Sequence, residues 1–182
     1  MIFEELELQG AYVISLERLE DNRGFFARTF CKREFSKYNL NTQIVQSNLS
    51  YNRKKGTLRG MHWQISPCQE TKLINCCRGE IYDVIVDLRP TSATYRRWVA
   101  VKLTDDEYKM IYVPKGFAHG FQTLKDDSLL CYQVSEFYSP DHERGARWDD
   151  PAFGIRWPIT PPTVVSSKDG SYPDFASETN RA

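Results

Sequence analysis

An all-β sandwich or barrel is the fold class the sequence predicts, on three observations. The patterned segments are short and rich in Val, Ile, Tyr and Thr. Gly, Pro, Asn and Asp separate them, and no strand–helix–strand alternation occurs. In chain order the expected strands are residues 11–16, 44–50, 71–77, 81–88, 98–103, 109–113 and 129–137, each dominated by branched or aromatic side chains that suit a pleated, half-covered surface. Residues 32–38 are the clearest helical candidate, and 105–108 reads as a turn, so helices are minor. From Pro151 onward, Pro158, Pro161, Pro162 and Pro173 deny the chain regular central strands, because proline lacks the ladder donor. That stretch is expected as an arm packed over the barrel. With no internal repeat and no low-complexity segment, residues 1–176 read as one domain and 177–182 as a frayed tail.

Composition narrows the function classes. The 182 residues are 41% hydrophobic and 13% aromatic, ordinary for a folded globule with a sizeable core. Twenty-four basic side chains balance 24 acidic ones with no like-charged block, so nothing predicts the broad positive field of a nucleic-acid binder. No apolar run approaches the roughly 20 residues of a membrane span. The N-terminal MIFEELELQG lacks the basic start and apolar stretch of a signal peptide, and a cytoplasmic location is expected. The five cysteines, Cys31, Cys68, Cys76, Cys77 and Cys131, form no CxxC pair and read as reduced thiols.

Only three histidines exist. Spacing alone reads His62, in Arg59-Gly60-Met61-His62-Trp63-Gln64, as a hydrogen-bonded histidine of a barrel wall. Its expected company changes that reading: Lys72 on the next strand and Tyr132 on a later one occupy positions that can face inward. A histidine, a lysine and a tyrosine around one cavity supply a base, a cation for an oxyanion and a phenolic acid, the set needed for proton abstraction next to a carbonyl. A metal is not expected. Metal-binding barrels commonly offer two histidines one residue apart, and here Gln64 stands two after His62, leaving only His119 as a further ligand. His142, between Asp141 and Glu143, reads as a solvated surface residue. Asp169 is by itself a turn residue, but an arm folded back would bring its carboxylate to the second nitrogen of His62. Arg23, Arg59 and Lys168 are candidates for phosphate contact, and no glycine-rich phosphate loop occurs.

These residues stand within a series of ordered motifs: Asp21-Asn22-Arg23-Gly24-Phe25-Phe26, Gly56 through Gln64, Lys72-Leu73, Gly79 through Val84, Val86-Asp87-Leu88-Arg89, Pro114 through Phe121, and His142-Glu143-Arg144-Gly145 through Trp148-Asp149-Asp150-Pro151. The chain thereby resembles the dTDP-4-dehydrorhamnose 3,5-epimerase family from about Phe3 to Asp169. The resemblance implies a cupin-type double-stranded β-helix jelly roll that forms a homodimer. It also implies inversion of C3 and C5 of a nucleoside-diphosphate-linked 4-keto-6-deoxyhexose, without a cofactor, on the route to dTDP-rhamnose and surface polysaccharide. By position His62 resembles the family's base, Asp169 its partner, Lys72 the residue that steadies the enolate, and Tyr132 the acid on the opposite face. Tyr138 falls where an aromatic ring stacks on the nucleoside, and Arg23 and Arg59 at diphosphate positions. Phe26, Gln46, Asn48, His119, Glu143 and Lys168 match further substrate-contacting positions. The N-terminal strands, with Phe3, Leu6, Leu8 and Tyr12, are the expected exchange surface between copies, though these side chains suit one chain's core equally well.

One position departs from the family: Arg28 stands where a glutamate usually accepts a hydrogen bond from the N3–H of the base. A guanidinium only donates, so Arg28 suits cytosine, and a CDP-linked sugar is an alternative substrate. Arg28 turned to solvent or to a phosphate is the plainer alternative. A one-site 3- or 5-epimerase and a nucleotide-sugar 3,4-ketoisomerase remain the other readings.

Overall fold

Strand residues alternate between faces, and here that alternation serves three separate cores. The computed structural model describes residues 1–175, so the tail expected at 177–182 lies outside the described residues. In chain order the strands are β1 (Ile2–Glu5), β2 (Tyr12–Ser15), β3 (Arg18–Asp21), β4 (Gly24–Ala27), β5 (Gln46–Asn52), β6 (Thr57–Gln64) and β7 (Lys72–Arg78). They continue as β8 (Glu80–Asp87), β9 (Trp98–Thr104), β10 (Lys109–Val113), β11 (Phe117–Thr123), β12 (Ser128–Val134), β13 (Glu143–Gly145) and β14 (Val164–Val165). Two short helices, α1 (Lys32–Ser36) and α2 (Ser167–Gly170), complete the set. One sheet runs β1-β2-β10-β7-β12-β5 and the other β13-β6-β11-β8-β9, with β14 added parallel to β6. From β5 to β13 the chain changes sheet at every connection except the β8–β9 hairpin, which is the jelly-roll pattern.

Between the sheets lies a core of Leu8, Ile74, Ile81, Ile85, Ile111 and Phe117. Outside the second sheet, Leu58, Met61, Val84 and Val86 pack under Trp157 and Phe175 of the C-terminal arm. Outside the first, Ile14, Leu73 and Met110 pack with Phe35 of α1. Strand β8 divides its apolar residues between the first two cores, and so reads as an unbroken hydrophobic run. The expected arm is present. Gln122 of β11 clamps it by donating to the Ile159 carbonyl at 2.8 Å and accepting from its amide at 2.9 Å.

Every strand expected from sequence forms, with ends shifted by a few residues, and the helix at 32–38 shortens to Lys32–Ser36. β1 pairs with β2 of its own chain, and Leu6, Leu8, Phe3 and Tyr12 pack into that chain's cores. Strands β6 and β11 were not expected, and they position the site. Their register shifts: His119 faces His62, but Phe121 faces Arg59, so β6 carries one extra residue at Gly60–Met61. The bulge turns both Arg59 and His62 toward the interior although three positions separate them, a spacing a regular strand forbids. Glycine is required at its centre. Gly60 has φ +123°, and a Cβ there would lie 2.5 Å from the Gly120 Cα and 2.9 Å from the His119 carbonyl oxygen.

Gly60→Ala is expected to destabilise the protein by at least about 2 kcal/mol, because a strained backbone and a backbone clash coincide. Equilibrium denaturation measures this, and a variant as stable as the parent would refute the close approach of β6 and β11.

Candidate active site

The inner faces of the two sheets meet at a cavity of about 370 Å³, lined by Arg59 and His62 of β6, Lys72 of β7, His119 of β11 and Tyr132 of β12. A second cavity of about 330 Å³ shares His62, Lys72 and Tyr132 and extends past Gln46, Asn48, Glu70, Tyr138 and Glu143. The fold thus gathers most of the residues singled out from sequence.

His62 is held from behind by the arm. Its Nε2 lies 2.7 Å from Oδ1 of Asp169, which sits 4% exposed in α2. The other carboxylate oxygen, Oδ2, accepts from the Gly60 amide at 3.3 Å, and the Asp169 amide is capped by Ser166 Oγ at 3.0 Å. Burial alone would raise the Asp169 carboxyl, but its hydrogen bonds to His62 and Gly60 prevail and hold it below the ordinary carboxylate value. An ionised carboxylate only accepts, so Nε2 carries the proton and Nδ1 is left to take one. Tyr172 encloses the pair, its ring edge-on to His62 at 6.1 Å. That ring occupies the space above Gly145, where a Cβ would approach it to 2.3 Å.

His119 has a contrasting partner. Its Nε2 lies 2.9 Å from Oδ2 of Asp83, which is fully buried and whose Oδ1 has no hydrogen-bond partner among the described residues. Burial pushes this carboxyl up, and the opposing pull of His119 and Lys72 does not cancel it. Tyr132 is likewise raised, by burial first and then by the charge of Glu70, against Arg59, so it stays a phenol able to donate. Lys72 is ion-paired with Glu70.

At the rim the Tyr138 hydroxyl donates to Glu143 Oε2 at 2.8 Å, and its amide donates to Gln46 Oε1 at 3.0 Å. Lys168 reaches the same Glu143 oxygen at 2.5 Å, which pushes its ammonium up to about 12. Arg59 is steadied by donating from Nε to Asn52 Oδ1 at 2.8 Å.

Three expected substrate contacts do not reach this cavity. Arg23, Phe26 and Arg28 lie on or next to the β3–β4 hairpin, which pairs only with itself and contributes no lining residue to either cavity. Arg23 bonds its neighbour Asp21, Phe26 is 64% exposed, and Arg28 pairs with Glu34 at 3.2 Å. His142 is not simply solvated: it is half-buried and its Nδ1 lies 2.7 Å from Ser139 Oγ. Glu70, Asp83 and Tyr172 escaped the sequence reading. Asp83 left a signal, a lone acid inside the apolar run Ile81–Val86. Glu70 and Tyr172 left none.

A family model described as dTDP-4-dehydrorhamnose 3,5-epimerase matches residues 5–177. A dTDP-4-dehydrorhamnose 3,5-epimerase of Sinorhizobium fredii is 42% identical over 175 residues, covering 96% of this chain and 90% of that one. Among solved structures, the Bacillus anthracis dTDP-4-dehydrorhamnose 3,5-epimerase with TDP and PPi bound superposes with a TM-score of 0.91. It is 40% identical and covers 95% of this chain and 98% of that one. A 3'-monoepimerase from Streptomyces bikiniensis in complex with dTDP-quinovose superposes at 0.87 with 30% identity, covering 97% and 89%.

Asp169→Asn tests the electrostatics of the pair. A carboxyl lowered in the folded state stabilises the fold above its unfolded value and loses that contribution as pH falls through the folded one. The variant should therefore be less stable by about 1–3 kcal/mol at neutral pH, with the deficit shrinking below about pH 4. Denaturation curves at both pH values measure it, and equal deficits would contradict an ionised Asp169.

Proposed function

The chain belongs to the dTDP-4-dehydrorhamnose 3,5-epimerase family, and we propose that it inverts both C3 and C5 of dTDP-4-keto-6-deoxyglucose with His62 as base and Tyr132 as acid. The observation that carries this reading is the 2.7 Å contact of His62 Nε2 with a buried, ionised Asp169 in a cavity shared with Lys72 and Tyr132. Both reacting carbons adjoin the C4 ketone, so one chemistry serves each. His62 Nδ1 takes the proton from carbon, and the bond's electrons move into the ring to leave the negative charge on O4. The Lys72 ammonium holds that oxygen. Tyr132 then returns a proton to the opposite face, and exchange with solvent restores both groups. Asp169 stabilises the imidazolium that forms without itself being protonated.

The rim groups supply binding. Tyr138 offers a ring to the nucleoside, and Arg59 with Lys168 offers charge to the diphosphate. Arg28 is engaged by Glu34, which supports a thymidine rather than a cytidine carrier; a direct titration is expected to show dTDP binding more tightly than CDP, and a CDP preference would contradict this. We place the enzyme in the cytoplasm, supplying deoxysugar for polysaccharide. Among the described residues no helix is long and apolar enough to cross a membrane.

Arg23 and Phe26 lie away from their own cavity, beside exposed Leu19 at 70%. They make sense in a homodimer whose hairpins each complete the other chain's site. Mixing two inactive variants tests it: His62→Ala chains and Arg23→Ala chains should regain activity together, because one site of each mixed dimer is intact. No recovery in a mixture that exchanges subunits would contradict the shared site.

His62→Ala itself is expected to abolish solvent-deuterium exchange at C3 and C5, a loss of at least about 10³-fold, while dTDP affinity stays within about twofold of the parent. Proton NMR in deuterated water reads the exchange, and retained exchange removes His62 from the mechanism.

A further inference from the structure

One acidic group is paired with Lys72 and takes no part in the proton transfers above. Glu70, two residues earlier, is ion-paired to its ammonium, with both side chains nearly enclosed at 10% and 14% exposed. The pair lines the second cavity rather than a core or an outer surface. The other Glu70 oxygen, Oε2, accepts from Gln64 Nε2 at 2.6 Å. Gln64 is in turn fixed by the Cys68 carbonyl at 2.8 Å, the Phe137 carbonyl at 3.1 Å and the Ser139 amide at 2.6 Å. A glutamate anchored in this way keeps its place while a four-carbon lysine stem moves.

We propose that Glu70 is a positioning residue: it holds the Lys72 ammonium at the cavity wall in the empty site and shares it with the sugar's C4 oxygen once the substrate is in place. This rests on the reading of Lys72 as the enolate's partner. An ammonium has three donors on a flexible stem, so Lys72 can keep one hydrogen bond to Glu70 and present another to the ketone. The anchored pairing spares the site an isolated buried cation before substrate arrives. As negative charge develops on O4, the ammonium is already within the cavity and needs little reorganisation. Glu70 has a second effect through space. Its charge adds to burial in holding the Tyr132 phenol protonated. The same carboxylate thus aims the cation and preserves the acid.

Glu70→Gln keeps the shape and a hydrogen-bond acceptor but removes the charge, whereas Glu70→Asp keeps the charge and withdraws it by one methylene. With dTDP-4-keto-6-deoxyglucose, Glu70→Gln should lower kcat by about 10- to 100-fold, the scale of a misplaced catalytic group. KM and dTDP affinity should change less, and the alkaline limb of the kcat profile should move to lower pH as Tyr132 loses its neighbouring charge. Glu70→Asp should lose part of kcat but keep the parental limb, and it carries the test alone if Glu70→Gln does not fold. Parental kcat and pH profile in Glu70→Gln, or equal losses in both variants with no movement of the limb, would overturn the proposal and leave Glu70 a structural residue. The parent enzyme run alongside separates the two levels: absent deuterium exchange at C3 and C5 in the parent would overturn the epimerase reading itself.

Discussion

Everything in the site depends on one carboxylate held out of water. Asp169 is 4% exposed, yet its partners keep it ionised, because His62 and the Gly60 amide together outweigh its loss of hydration. That contact joins elements distant in the chain, the β6 bulge and the C-terminal arm. It also decides which ring nitrogen of His62 carries a proton. The rest of the arm follows from this need: Trp157 and Phe175 bury it against β6 and β8, and Gln122 clamps it at Ile159.

Two histidine–carboxylate pairs face each other across the β6–β11 ladder, and their electrostatics diverge. Asp169 is lowered, so His62 is oriented by a full negative charge. Asp83 is raised by complete burial, so His119 has a partner whose charge is disfavoured. Environments that push similar groups apart are how one fold assigns distinct roles to them. Burial is what separates Tyr132 from Tyr138. The first is enclosed and kept phenolic inside the barrel, and the second is exposed at the rim, where its ring is available to a ligand.

Much of this was legible in the sequence, and the losses have physical causes. Strands covered on both faces, such as β8, announce themselves by continuous branched apolar residues. Strands β6 and β11 do not, because Gly60, Gly120, two histidines and Arg59 interrupt any alternation, and the bulge changes which residues share a face. The catalytic candidates His62, Lys72, Tyr132 and Asp169 were identifiable through residue type and motif. Their meeting stood there only as an expectation of inward-facing positions and a folded-back arm, because Asp169 reaches His62 across 107 positions. Arg23, Phe26 and Arg28 show the opposite limit. Motif position assigned them to the site, while the fold of one chain leaves them on a hairpin outside it.

The central claim is that Asp169 fixes His62 with the proton on Nε2 and leaves Nδ1 as the base. With only three histidines in the chain, ¹⁵N NMR of histidine-labelled protein resolves the His62 ring directly at a pH where it is neutral. The account predicts a protonated Nε2 and a bare Nδ1 in the parent, with that preference lost in Asp169→Ala. A neutral His62 protonated on Nδ1 would leave no base turned to the substrate and would contradict the account.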